Sequence, residues 1–172
     1  MSPTSLFGVQ FTLSFVLASI VGRWYVAPAL GRLPVKAALV PLFLVHVLRY
    51  LPSTAFAPGQ VDADIPTYAM AAISYGDMAS AVLALIAALL LRYRARGAIT
   101  VAWVVNAVTS LDWLHASFLA VSNHLATYRM GGNWYIMAYY VPVIGVAHVM
   151  IFARLVRHSR QAKEAWSRTA PA

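Results

Sequence analysis

The stretch GAITVAWVVNAVTSLDWLHASF, residues 97–118, decides how this chain is read. It opens without a charged side chain from residue 97 to 111, then places Asp112 and His115 three residues apart in an otherwise apolar run. Charge-free runs recur at residues 2–22, 65–76, 78–91 and 130–147. A hydrocarbon core about 30 Å thick is crossed by roughly 20 mainly apolar residues in a helix. Only helices and closed barrels satisfy the backbone in lipid, and these runs are continuous rather than alternating. The expectation is an all-α integral membrane protein, a five-transmembrane-helix bundle.

Composition agrees. Of the 172 residues 61% are hydrophobic and 10% charged, against about 25% charged in a soluble domain. The absence of cysteine excludes disulfides, thiolate metal sites, a cysteine nucleophile and c-type haem. A net charge of +8 would point a soluble protein towards nucleic acid. Here Arg and Lys flank the apolar runs, so no nucleic-acid partner is expected and the bilayer is the partner instead.

The spans read as 5–28, 36–54, 68–92, 97–122 and 134–157, a single domain over residues 1–160 with a short basic tail at 161–172. The first span has no basic residue before it, and its first charge, Arg23, follows the apolar stretch. That favours a retained helix over a cleaved leader. Pro41 inside the second predicts a kink. Arg23, Arg32 and Lys36 lie between spans one and two, and Arg92, Arg94 and Arg96 between three and four; Arg154, Arg157, Arg160, Lys163 and Arg168 close the chain. Only Arg49 and Arg129 fall towards the other side. The positive-inside rule then places the amino terminus outside and the carboxyl terminus in the cytoplasm, with the cytoplasmic (inner) membrane as the expected location. The segment PSTAFAPGQVDADIPT, residues 52–67, reads as an extended external loop, and the tail after Arg160 as frayed and suited to anionic headgroups. In GGNW, residues 131–134, Asn133 reads as the cap of span five. No internal repeat is evident.

Ionisable groups within spans cost about 2.5–3.5 kcal/mol each on insertion scales and are functional by default. At about 1.5 Å per residue, His46 falls at the centre of its span, Asp77 and Asp112 some three residues outward, and His148 slightly inward; Arg49 and His115 lie further out. Four spans thus bring ionisable groups to similar depth. Asp112 and His115 are 60° apart on the helix and read as a proton-handling pair, with Asp77 balancing charge. These three are the catalytic candidates. His46, Arg49, Tyr50, Asn106 and Tyr139 are the ligand-binding candidates, Arg49 for an anionic or carbonyl group. His46, His115 and His148 are the metal candidates, and a His46–His148 pair would suit a metal ion or b-type haem. The plain alternative is structural: ion pairing of Asp77 with Arg49, and a hydrogen bond from His148 to a backbone carbonyl.

The function expected from these residues is binding of, or action on, a small or lipophilic ligand at a His/Asp/Arg site in the outer half of the bilayer. Two alternatives remain: an accessory or assembly subunit packed against a membrane-protein partner or another copy of itself, and a proton-coupled transporter.

Overall fold

The computed structural model describes residues 1–169. Among them are five long helices and no strand. They are α1 Pro3–Gly31, α2 Val35–Phe56, α3 Thr67–Arg92, α4 Ala98–Ser122 and α5 Asn133–Arg168, each long and apolar enough to cross a membrane.

Local chemistry sets the ends. Ser2 caps α1 by accepting from the Ser5 N–H at 3.1 Å, and Pro3 occupies the first turn, where its missing N–H costs nothing. Two wide π-turns follow, Gly22–Val26 in α1 and Ile136–Tyr140 in α5. Each lies just ahead of a proline, Pro28 or Pro142. A proline inside a helix lacks the N–H and crowds the carbonyl four residues back. The π-turn absorbs this with a five-residue bond, Ala27 N–H to Gly22 O in α1 and Val141 N–H to Ile136 O in α5. Pro41 is carried inside α2, which tightens to a 3₁₀ helix over Leu48–Phe56.

The helices run alternately, so the basic loops share one end. There Lys36 Nζ donates to the carbonyls of Arg94 and Ala95, both at 3.2 Å, placing a cation at the carboxyl end of α3. Arg154 donates to Ala27 O at 3.2 Å. At the opposite end the 57–66 and 123–132 loops are tied together: the Asp62 N–H donates to Arg129 O and the Arg129 N–H to Asp62 Oδ2, both at 2.9 Å. Gly131 sits in this tie with φ +50°, and a Cβ there would collide with Gln60 O.

The basic half of the bundle is filled by an apolar core that includes Leu39, Phe43, Leu91, Val105, Ile151 and Leu155. Ala84, Ala87 and Ala88 line α3 within it and let α2 and α4 come close. A smaller core of Ala55, Ile65, Met70, Leu125 and Met130 closes the loop end. The polar residues lie between the two.

Three expectations need correction. The 52–67 segment is not extended throughout: its first residues complete the 3₁₀ helix to Phe56, and Ser53 Oγ bonds Tyr50 O at 2.6 Å. The tail does not fray at Arg160 but stays helical through Thr169, helped by residues of good helix propensity such as Gln161, Ala162, Lys163 and Glu164. Residues 170–172 of the tail assigned to 161–172 lie outside the described residues. Asn133 does not cap α5, since Gly132 holds the cap position; its buried Oδ1 accepts from Thr54 Oγ1 at 3.2 Å instead.

Candidate functional site

Arg49 is 1% exposed and makes the centre of the polar layer. Its Nε donates to Asp77 Oδ1 at 2.7 Å, and the same oxygen lies 2.7 Å from a terminal guanidinium nitrogen. That nitrogen also reaches Asp112 Oδ2 at 2.6 Å, while the other donates to Thr109 O at 2.9 Å. Ser80 Oγ donates to Asp112 Oδ2 at 2.8 Å. One guanidinium therefore joins α2, α3 and α4, with every nitrogen bonded. Gly76 is what lets α4 deliver its carboxylate, because a Cβ at that position would overlap Asp112 Oδ1.

One turn back along α2, the His46 ring stacks on the His148 ring of α5, with centroids 4.2 Å apart and planes tilted by 38°. The side chain of Asn106 fixes His148. Its Nδ2 donates to the His148 carbonyl at 3.4 Å, so its Oδ1 is the atom 2.9 Å from His148 Nδ1. An amide oxygen can only accept, so His148 carries a proton on Nδ1, which in the neutral ring leaves Nε2 as an acceptor. That Nε2, both His46 ring nitrogens and Trp113 Nε1 are buried without a hydrogen-bond partner among the described residues. Trp113 is 6.4 Å from the His148 ring and packs over Gly145, where a Cβ would lie 3.0 Å from the indole.

This arrangement does not fit a haem between His46 and His148. Two axial imidazoles about 2 Å from a central metal hold their ring centres roughly 6 Å apart, and these lie at 4.2 Å. Among the described residues no three His, Cys, Asp or Glu side chains are grouped to hold a metal ion.

Above the ion layer, towards the loop end, α1, α3, α4 and α5 enclose a cavity of about 390 Å³. Its walls are apolar and include Phe7, Phe11, Met70, Trp113, Met130 and Met137. Asp77 reaches it as its only carboxylate, and no Lys or Arg lines it. Thr4, Gly8 and Thr12 of α1, with Val121 and His124 beyond them, line it while themselves exposed, so it opens sideways between α1 and α4.

The structure thus brings together His46, Arg49, Asp77, Asn106, Asp112 and His148. It does not bring in His115, Tyr50 or Tyr139. The expected Asp112–His115 pair does not form. The inward face of α4 is centred on Thr109, with Asp112 at its edge and turned onto Arg49; His115, a further 60° round, is exposed. Tyr50 is 50% exposed, and Tyr139 is 44% exposed and stacked on Tyr135. The π-turn shifts the helical phase, so the next residue, Tyr140, turns inward and donates to Val45 O at 2.5 Å. Of the two adjacent tyrosines it is Tyr140, not the candidate Tyr139, that turns into the bundle, and the Pro142 that follows is the sequence signal for it.

A protein-family model described as "Domain of unknown function (DUF8737)" matches residues 6–156, and the chain belongs to that family. No curated protein and no solved structure matches it.

Breaking a buried ion pair from one side leaves a charge unpaired, at about 3–5 kcal/mol. Arg49→Met is expected to lower unfolding stability by about that much, read as a fall in Tm of the detergent-purified protein. Adding Asp77→Asn and Asp112→Asn should recover at least about half of the loss by removing the orphaned charges. A triple variant as unstable as Arg49→Met would show that the carboxylates are not what Arg49 serves.

Proposed function

We propose that the chain is an integral protein of the cytoplasmic membrane, amino terminus outside, whose cavity binds a small lipophilic ligand in the outer half of the bilayer. The observation that carries this reading is the cavity itself. Its volume lies within the roughly 300–1,000 Å³ of small-molecule pockets, which are mostly apolar with a few placed polar groups. Exposed residues of α1 and α4 lie on its rim, which suits a ligand arriving from the membrane. The orientation rests on the shared end of the basic loops and the positive-inside rule.

Within this reading Asp77 and Trp113 face the ligand. Arg49, Asp112 and Ser80 hold Asp77 in place. Proton-coupled transport draws no support here, because the polar layer ends against the apolar core of the basic half. The site communicates with one side only.

A partner subunit is the second reading, and His115 is the observation that favours it. Its imidazole is exposed on α4 beside Leu111, Leu114 and Phe118, all more than half exposed. A polar ring turned towards lipid is costly unless a neighbouring helix bonds it.

Three measurements test these statements. A single cysteine introduced at Gly59 should react with an impermeant maleimide from outside intact cells, whereas one at Ala95 should not; the reverse pattern would invert the topology. N-phenyl-1-naphthylamine, a neutral lipophilic fluorophore, should bind the purified protein saturably. Gly8→Phe should weaken that binding about tenfold or more, since a Cβ at Gly8 meets nothing within 4 Å and a ring there would grow into the cavity; unaltered binding would rule out the cavity as the site. For the second reading, His115→Leu should release any stoichiometric protein that co-purifies with the wild type, and a complex that survives the change would not use this face.

A further inference from the structure

The charge of the polar layer does not balance. Arg49 contributes one positive charge, and Asp77 and Asp112 two negative ones. The other groups around Asp77 do not supply the difference. His46 and His148 have no carboxylate within bonding reach, and the His148 Nδ1–H is already given to Asn106. Tyr140 donates to a carbonyl, and Ser80 bonds Asp112. The side chain of Asp77 is 10% exposed. Its Oδ1 takes both contacts from Arg49, and among the described residues no donor reaches Oδ2. The same residue is the only carboxylate lining the cavity.

Resting on the cavity reading above, the geometry points to a hydrophobic organic cation as the ligand, its positive charge set against Asp77 in the cavity. A buried, partly unpaired carboxylate is costly, and a cation with little hydration to lose relieves that cost. The walls suit the same ligand. The lining holds three aromatic rings, Phe7, Phe11 and Trp113, which can attract a cation, and the polarisable thioethers of Met70, Met130 and Met137. An anion of the same size would meet the excess negative charge with no Lys or Arg in the lining to offset it, and the one histidine there, His124, sits at the exposed edge away from Asp77. A proton on Asp77 is the competing occupant; if it is permanent, the cavity no longer distinguishes charge.

Tetraphenylphosphonium and tetraphenylborate share size and shape and differ in the sign of charge. Titrated by calorimetry into the full chain in a neutral detergent, with empty micelles subtracted, the phosphonium ion should bind about tenfold or more tightly than the borate. Asp77→Asn should bring the two within about threefold. Equal binding of both ions by the wild type would overturn the inference without needing any variant, and so would a preference that survives in a folded Asp77→Asn protein. The naphthylamine titration separates the two levels: saturable neutral binding with no charge preference removes the cation alone, and no saturable binding removes the cavity reading with it.

Discussion

A guanidinium clamped between two carboxylates from different helices is the constraint on which the rest of this bundle depends. Each ion taken singly into a low-dielectric interior costs several kcal/mol, and their mutual attraction offsets this only when the geometry is close to ideal. Here every nitrogen of Arg49 is bonded and the contacts lie between 2.6 and 2.9 Å. That saturation fixes the rotation of three helices at once. α3 must present Asp77 and α4 must present Asp112 at one depth, and α3 must carry glycine at 76 to leave room. The small side chains of α3 in the basic half, Ala84, Ala87 and Ala88, serve the same close approach where no charge is involved.

Sequence and structure agree most closely where the signal is one of length and depth. Charge-free runs separated by arginine-rich turns mark five helices, because nothing but a long apolar helix has that composition. The similar depths of His46, Asp77, Asp112 and His148 were legible from helical rise alone, and the four fall in two adjoining tiers, the carboxylates on Arg49 and the two imidazoles on each other. Azimuth is harder. Asp112 and His115 lie 60° apart, close enough to be assigned one side, yet the boundary between buried and exposed falls between them. Where that boundary lies is set by neighbouring helices, which a single helix's pattern does not contain. Tyr139 and Tyr140 show a second limit. Their roles exchange because a π-turn fits an extra residue into the turn and rotates each by less than 100°, and a 100° periodicity carried through Pro142 cannot register it.

The two halves of the bundle solve different problems. The basic half is closed by interlocking apolar side chains, Leu39, Phe43 and Leu91 among them. The other half holds α1 against α5, through Trp134 Nε1–H donating to Gln10 Oε1 at 2.8 Å and the Phe7 ring on Trp134 edge to face, while leaving space between α1 and α4. One of the four helices that border the cavity contributes little to the core: none of the residues Pro3–Val21 of α1 is fully buried. Elements with few buried contacts open at the lowest free energy, so α1 is the part of the wall best placed to yield to an entering molecule.

Between the ion layer and the aliphatic core lie the two imidazoles, and their position follows from the same energetics. A charged cluster set directly against hydrocarbon would leave its outer dipoles unanswered. Neutral rings that are polar at their edges and apolar on their faces grade one environment into the other. Asn106 matters most here, because by holding the His148 proton on Nδ1 it keeps that ring in one orientation and leaves Nε2 able only to accept. Both His46 ring nitrogens and Trp113 Nε1 are likewise buried without a hydrogen-bond partner among the described residues. Trp113 lies 6.4 Å from the His148 ring and also lines the cavity. The polar layer and the apolar cavity therefore adjoin at two side chains, the indole of Trp113 on the imidazole side and the carboxylate of Asp77 on the ion side.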